Sequence, residues 1–266
     1  MSAVLQSENQ PILLRHDAAG VTTLTLNRAS QFNSLSEELL AEFQAALDAI
    51  GADPTVRVVV IAGAGKAFCA GHDLKQMRAN PSKEYMQELF RRCARLMMTI
   101  AEIRQPVIAR VHGIATAAGC QLVAACDLAV AADVARFAVS GINVGLFCST
   151  PAVALTRNMG RKQAMEMLLT GDFIDAVEAQ RRGLVNRVAA TDELDAEVKK
   201  LTDSICAKSS LAISTGKQMF YRQLEMGVHG AYQFASEAMA CNMMAADAGE
   251  GIDAFVQKRK AEWRGC

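Results

Sequence analysis

The sequence carries no net charge: 28 lysines and arginines balance 28 aspartates and glutamates over 266 residues. That balance gives no electrostatic reason to expect nucleic acid or an anionic membrane as partner. It is compatible with a local cluster of cations facing a phosphate-bearing ligand. The chain also lacks any Cys-x-x-Cys pair, although it has eight cysteines, most of them in apolar surroundings. Free buried thiols are expected, with no disulfide framework and no metal site. Met1 to Gln10 has no apolar centre and no arginine, so it does not read as a signal or transit peptide. Together these features predict a cytoplasmic protein. No apolar stretch runs uninterrupted for the length of a membrane span, and no repeat of 20–50 residues is evident.

A hydrophobic fraction of 51% over this length is enough for a large core. Ile12–His16 and Val21–Asn27 read as paired strands around Ala18-Ala19-Gly20. Ser36 caps a helix running to about Ile50, with Glu37 and Glu38 in its first turn. Val58–Ala62 is a strand. Residues 82–104 read as a helix with Met86, Leu89, Cys93, Leu96, Met97 and Ile100 on one face, either ordinary core or the wall of an apolar pocket. Further strands are expected at Val107–Val111, Asp127–Ala132, Arg136–Val139 and Leu184–Val188. Ser149 or Thr150 caps a helix through Leu155, and helices dominate from Asp192 onward. This order gives an α/β core with a helical C-terminal region.

Two stretches make the same chemical offer. After the strand Val107–Val111, His112-Gly113 leads into Thr116-Ala117-Ala118-Gly119, a small-residue turn opening a helix that is apolar nearly all round. Such a helix is buried. Small residues in its first turn let a ligand approach the free backbone N–H groups. After Val58–Ala62 comes Gly63-Ala64-Gly65-Lys66-Ala67-Phe68-Cys69-Ala70-Gly71-His72-Asp73-Leu74. It is not a nucleotide phosphate loop, because Val60 stands where that motif needs glycine and Ala67 where it needs serine or threonine. Two loops each exposing an N–H can hold one developing oxyanion between them.

Lys66 to Leu74 and His112 to Asp127 resemble the two signature segments of the crotonase, or enoyl-CoA hydratase/isomerase, superfamily. Leu24–Arg28 with Asn33-Ser34-Leu35, and Glu250–Lys260, resemble its first turn and its last helix. The resemblance implies a crotonase-type spiral of ββα turns over residues 1–191 and a helical trimerisation region over 192–266. It implies that the backbone N–H groups of His72 and Ala118 hold the thioester oxygen of an acyl-CoA. Lys66 then approaches the CoA phosphates, and Ala70 meets the adenine. Ser30-Gln31-Phe32, with Arg28 close by, lies near the nucleotide. Phe255 and Lys258 reach the adenosine end, often of a neighbouring subunit. CoA enters as part of the substrate, so no separate cofactor is implied, and the expected assembly is a homotrimer or a dimer of trimers. The His72 side chain reads either as incidental to its backbone or as a pocket wall.

The hydratases of that family use two glutamates. The first position falls on Gln121, which can orient water but cannot accept a proton. The second falls on Gly141, which has no side chain. A positioned acid or base contributes about 10²–10⁴ in rate, so slow hydration is expected. Ser140, Asn143, Cys148 and Ser149 lie near the second position. Of these, Cys148 could act as a nucleophile but has no base beside it in sequence. Three readings stand at this point: an acyl-CoA enzyme with another acid or base, a non-catalytic acyl-CoA-binding or regulatory protein, and a structural partner in a mixed oligomer.

Overall fold

The computed structural model describes residues 10–266, so most of the Met1–Gln10 reading lies outside the described residues. Helices and strands alternate and then give way to helices. The first strands, β1 (Leu13–Ala18) and β2 (Val21–Leu26), form an antiparallel hairpin. A short 3₁₀ turn at Ala29–Gln31 follows, then α1 (Glu37–Ala52), whose Ser36 hydroxyl accepts from the Leu39 N–H. The chain next makes three similar passes. The first is β3 (Val58–Gly63), β4 (Ala67–Cys69), α2 (Leu74–Ala79) and α3 (Lys83–Glu102). The second is β5 (Val107–Val111), β6 (Ile114–Thr116) and α4 (Ala118–Ala125). The third is β7 (Leu128–Ala132), β8 (Arg136–Ala138), a 3₁₀ turn at Ser140–Val144, α5 (Ser149–Asn158) and α6 (Arg161–Thr170). After β9 (Ile174–Asp175), α7 (Ala176–Arg181) and β10 (Arg187–Ala189) come α8 (Leu194–Cys206), α9 (Ser210–Leu224), α10 (Val228–Met243) and α11 (Ala246–Val256).

Each pass lays one strand in each of two sheets. The larger sheet has the order β1-β2-β3-β5-β7-β10, parallel apart from the first hairpin, and the smaller has the order β4-β6-β8-β9. A parallel central sheet buried on both faces explains why its strands are apolar throughout rather than alternating. On one face lies the main core, with Phe43, Phe68 and Phe137 fully buried, each contributing about 1.5–3 kcal/mol by its removal from water. On the other, Val58, Val60, Ile108, Val130 and Ala132 pack against Leu194 and Val198 of α8. The α3 stripe expected from periodicity is core: Leu89, Cys93, Leu96, Met97 and Ile100 are buried. The cap of α5 differs from expectation. Cys148 occupies it and Ser149 is the first helical residue.

Candidate active site

The two signature segments meet where β4 and β6 pair, Cys69 opposite Ala115. Gly71 follows with φ +90°, and a Cβ built on it would lie 2.9 Å from the Ala117 Cβ and 3.1 Å from the Ala118 nitrogen. Any side chain there would push the loops apart. Gly119 is as constrained, because its Cβ would collide with the Cys69 carbonyl. The small residues are therefore what allows β4 to seat against the first turn of α4.

The backbone at His72 is set by one parallel bridge to Leu35. Leu35 donates to the Gly71 carbonyl at 2.8 Å, and Asp73 donates to the Leu35 carbonyl at 3.3 Å. This alternation leaves the N–H of His72, between them, out of the ladder. Ala118 is the first residue of α4, where an N–H has no intrahelical partner. Neither N–H has a hydrogen-bond partner among the described residues. Ala117, just before, sits at φ 51°, ψ −121°, an unusual conformation for a residue with a side chain. Two free amides on abutting loops, one at a helix N-terminus, suit a carbonyl oxygen that gains negative charge.

Long-range contacts hold these loops. Asn33, fully buried, donates to the carbonyls of Ala64 and Ala67 at 2.8 and 2.7 Å and accepts from the Arg28 N–H. Arg28 donates to Asp73 at 3.1 Å and to the Ser34 carbonyl at 2.6 Å. Arg28 is thus tied up within the protein, and its closeness to the nucleotide loop in sequence does not leave it free for a phosphate. Burial opposes the charged form of Asp73, but the Arg28 guanidinium and the N–H groups of Gln76 and Lys75 together hold that carboxyl below its ordinary value.

The expected nucleotide-end residues are partly brought together. The Ala70 N–H donates to the Phe32 carbonyl at 3.0 Å, and Phe32 is exposed in a left-handed conformation at φ 52°. Lys66 is exposed on the same segment, and the His112 ring meets the Gly65 carbonyl beside it at 3.0 Å. Phe255 is exposed at the end of α11, with Lys258 just beyond it, and this helix packs on α9 and α10.

Gln121 lies one turn along α4 from Ala118, 4% exposed, and its Oε1 has no partner among the described residues. At Gly141 a Cβ would meet the Cys148 Sγ at 2.6 Å and the Leu146 carbonyl oxygen at 2.7 Å, so no side chain fits without rearrangement. Ser140 shares a 2.7 Å hydrogen bond with Thr116 at the end of β6, a pairing that no sequence spacing signals. Burial pushes the Cys148 thiol up, which opposes its use as a nucleophile. The other acids near these segments are engaged elsewhere. Glu166 pairs with Arg182 at 2.8 Å, and Asp127 accepts from Lys217, Tyr221 and the Val107 N–H. The His72 ring packs edge-on against Phe90, centroids 5.5 Å apart. Burial pushes its pKa down to about 4, so the ring is neutral near pH 7.

Residues 16–266 match the family described as Enoyl-CoA hydratase/isomerase. The chain belongs to the enoyl-CoA hydratase/isomerase family. It is 43% identical over 256 residues to the mitochondrial enoyl-CoA hydratase domain-containing protein 3 of Xenopus laevis, covering 96% of this chain and 87% of that one. An enoyl-CoA hydratase crystal structure from Mycobacterium smegmatis superposes with a TM-score of 0.94 at 58% identity, covering 96% of this chain and 99% of that chain. The human enoyl Coenzyme A hydratase domain-containing protein 3 gives 0.93 at 42% identity, covering 95% and 100%. The α/β fold with its helical C-terminal region, expected from the sequence, is the crotonase fold of these family members. The cytoplasmic expectation is corrected: the frog and human relatives are both named as mitochondrial proteins. That expectation leaned on the reading of Met1–Gln10 and on free thiols, which argue against an oxidising compartment and do not choose among reducing ones.

Proposed function

We propose that this family member binds an acyl-CoA thioester and polarises its carbonyl between the N–H groups of His72 and Ala118. The observation that carries the reading is the pair of unpartnered backbone amides on loops brought together at Gly71. A thioester enolate places its charge on that oxygen, and each donor in such a hole contributes about 3–4 kcal/mol to the transition state. Lys66, Ala70 and Phe32 take the nucleotide end. Phe255 and Lys258 reach the adenosine end of a site in a neighbouring copy. CoA is part of the ligand and no separate cofactor is required. Exposed apolar side chains on α9 to α11, among them Phe220, Tyr232, Met239 and Val256, support a C-terminal trimerisation region within residues 192–266 and a homotrimer or a dimer of trimers.

Hydration of a simple enoyl-CoA is slow in this reading. Gln121 orients water but takes no proton, and Gly141 contributes no acid. A non-catalytic acyl-CoA-binding or regulatory role is the second reading, favoured by the Cys148 thiol packed where a side chain at position 141 would stand. Mass spectrometry of crotonyl-CoA with near-stoichiometric protein tests both, with Gln121→Ala as control for contaminating hydratase. Binding without conversion is expected. Fast formation of the 3-hydroxyacyl product, lost in the variant, would restore a hydratase assignment and give Gln121 the glutamate's task.

A further inference from the structure

The unpaired backbone groups along a sheet edge are a template for a further strand. In the smaller sheet the edges are β4 and β9, of three and two residues, and β10 at one end of the larger sheet has three. The other end of the larger sheet is β1, six residues long, without proline or bulge and exposed from Leu14 to Ala18. Among the described residues β1 pairs only with β2.

The hairpin fixes which backbone groups of β1 stay free. Ala19 and Gly20, both at positive φ, make a two-residue turn closed by Ala18 and Val21. At the far end of the same ladder the Asn27 N–H donates to the Ile12 carbonyl at 2.7 Å. Hydrogen-bonded pairs alternate along an antiparallel ladder, so Ile12, Leu14, His16 and Ala18 turn their backbone groups to β2. Those of Leu13, Arg15 and Asp17 face outward. Two copies of one edge meet about a two-fold axis, hence antiparallel, with the outward residues paired to one another.

Charge selects the register. An axis at Arg15 sets that residue against itself, and an axis at Asp17 does the same with the aspartate, so both place like charges opposite each other. Axes at Leu14 or Ala18 leave both charges facing uncharged residues. With the axis at His16, Arg15 stands opposite Asp17 of the second copy, Asp17 opposite Arg15, and Leu14 opposite Ala18. The segment Leu14-Arg15-His16-Asp17-Ala18 is thus its own complement. Within one copy Arg15 already lies 3.0 Å from Asp17, so pairing closes a ring of four alternating charges. The Thr22 hydroxyl, 2.6 Å away, and Arg15 hold the Asp17 carboxyl below its ordinary value, which keeps it ionised at neutral pH.

We propose that β1 is an interface for a second copy of this chain, paired edge to edge about a two-fold axis at His16. The larger sheet then continues from one copy into the next. This contact is separate from the C-terminal region and does not depend on the acyl-CoA reading.

Light scattering of the full chain after size exclusion tests the inference. The wild type is expected to contain an even number of chains. Arg15→Asp makes the edge acidic and Asp17→Arg makes it basic, and each variant alone is expected to have half the wild-type mass. An equimolar mixture of the two, whose edges match, is expected to regain the full mass. An odd number of chains in the wild type, full mass in both variants alone, or half mass in the mixture overturns the proposal. Cysteine cross-linking reads the register separately. Partners in a non-hydrogen-bonded pair lie about 4.5 Å apart at Cα, within disulfide reach. Mild oxidation is expected to join His16→Cys into covalent pairs and to leave Arg15→Cys, which faces Asp17, at the wild-type level. No cross-link at position 16, or equal cross-linking at both positions, overturns the proposal even if the charge variants fail to fold.

Discussion

The Lys217 ammonium lies 2.6 Å from an Asp127 carboxylate oxygen, with 6% of the lysine side chain exposed. Lys217 comes from α9 and also donates to the carbonyls of Ile100 and Gln105 at 2.7 and 2.9 Å. Asp127 receives the Val107 N–H at 2.6 Å and the Tyr221 hydroxyl at 2.8 Å. One buried ion pair thus joins the end of α3, the start of β5, the junction after α4, and the C-terminal helices. Burial pulls the Lys217 pKa down, and the facing carboxylate opposes that shift.

Removing one partner strands the other. Lys217→Met is expected to cost about 3–5 kcal/mol of stability. Tyr221→Phe, which removes a single hydrogen bond to a charged acceptor, costs about 1.5–3 kcal/mol. Urea unfolding of the two variants checks the order, and a Lys217→Met loss below that of Tyr221→Phe would contradict it.

Ala117 precedes the α4 amide at φ 51°, where a side chain costs about 1–2 kcal/mol. Ala117→Gly removes that strain and pays back part of it as unfolded-chain entropy. A net gain of up to about 1 kcal/mol is expected, seen as a rise in Tm. A fall in Tm would mean that the alanine methyl's packing outweighs the strain.

The Cys148 sulfur limits what position 141 can hold. Gly141→Ala is expected to destabilise by about 1–3 kcal/mol through overpacking. Gly141→Glu combined with Gln121→Glu is expected not to reach hydratase rates until Cys148 is made smaller. Thermal melts and crotonyl-CoA turnover of Gly141→Glu/Gln121→Glu, with and without Cys148→Ala, measure both effects.

His72 sets a pH dependence. Burial holds its native pKa at about 4, against about 6.5 in the unfolded chain. The unfolded state therefore binds the extra proton first as pH falls. The stability that depends on a neutral ring is complete above pH 6.5 and is lost between about pH 6.5 and 4, at up to about 1.4 kcal/mol per unit. The stability of wild type relative to His72→Gln should therefore fall by about 3 kcal/mol over that window. Parallel denaturation curves for the two proteins from pH 7 to 4 would contradict it.

The larger sheet was legible because Val58–Ala62, Val107–Val111 and Asp127–Ala132 are apolar runs, which a doubly covered parallel strand requires. Ser36 marked a helix start through short-range cap chemistry, and its hydroxyl caps α1. Of the smaller sheet, β8 was legible as Arg136–Val139, whereas β4 and β6 are three residues each and carry no periodicity that separates them from their loops. Contacts made across the chain left no local signal. Asn33 reaches Ala67 over 34 residues and Lys217 reaches Asp127 over 90, and neither spacing is a motif. At the candidate site, the resemblance pointed to His72, Ala118, Gln121 and Gly141. The crowding that forbids a side chain at 141 and the stranded carboxamide at 121 emerge only when Leu146, Cys148 and the turns of α4 are packed together.

The bridge between Leu35 and His72 bears on how such a protein changes over generations. The donor it frees belongs to the main chain, so no substitution short of proline deletes it; otherwise only a change in loop shape can. Carboxylates are different, since one codon change turns Glu into Gln or Gly. A scaffold whose electrophile-binding groups are peptide bonds can shed its proton-handling side chains and still present the same cradle to a thioester. Such a cradle is open to a new ligand or a new reaction by exchange of very few residues around it.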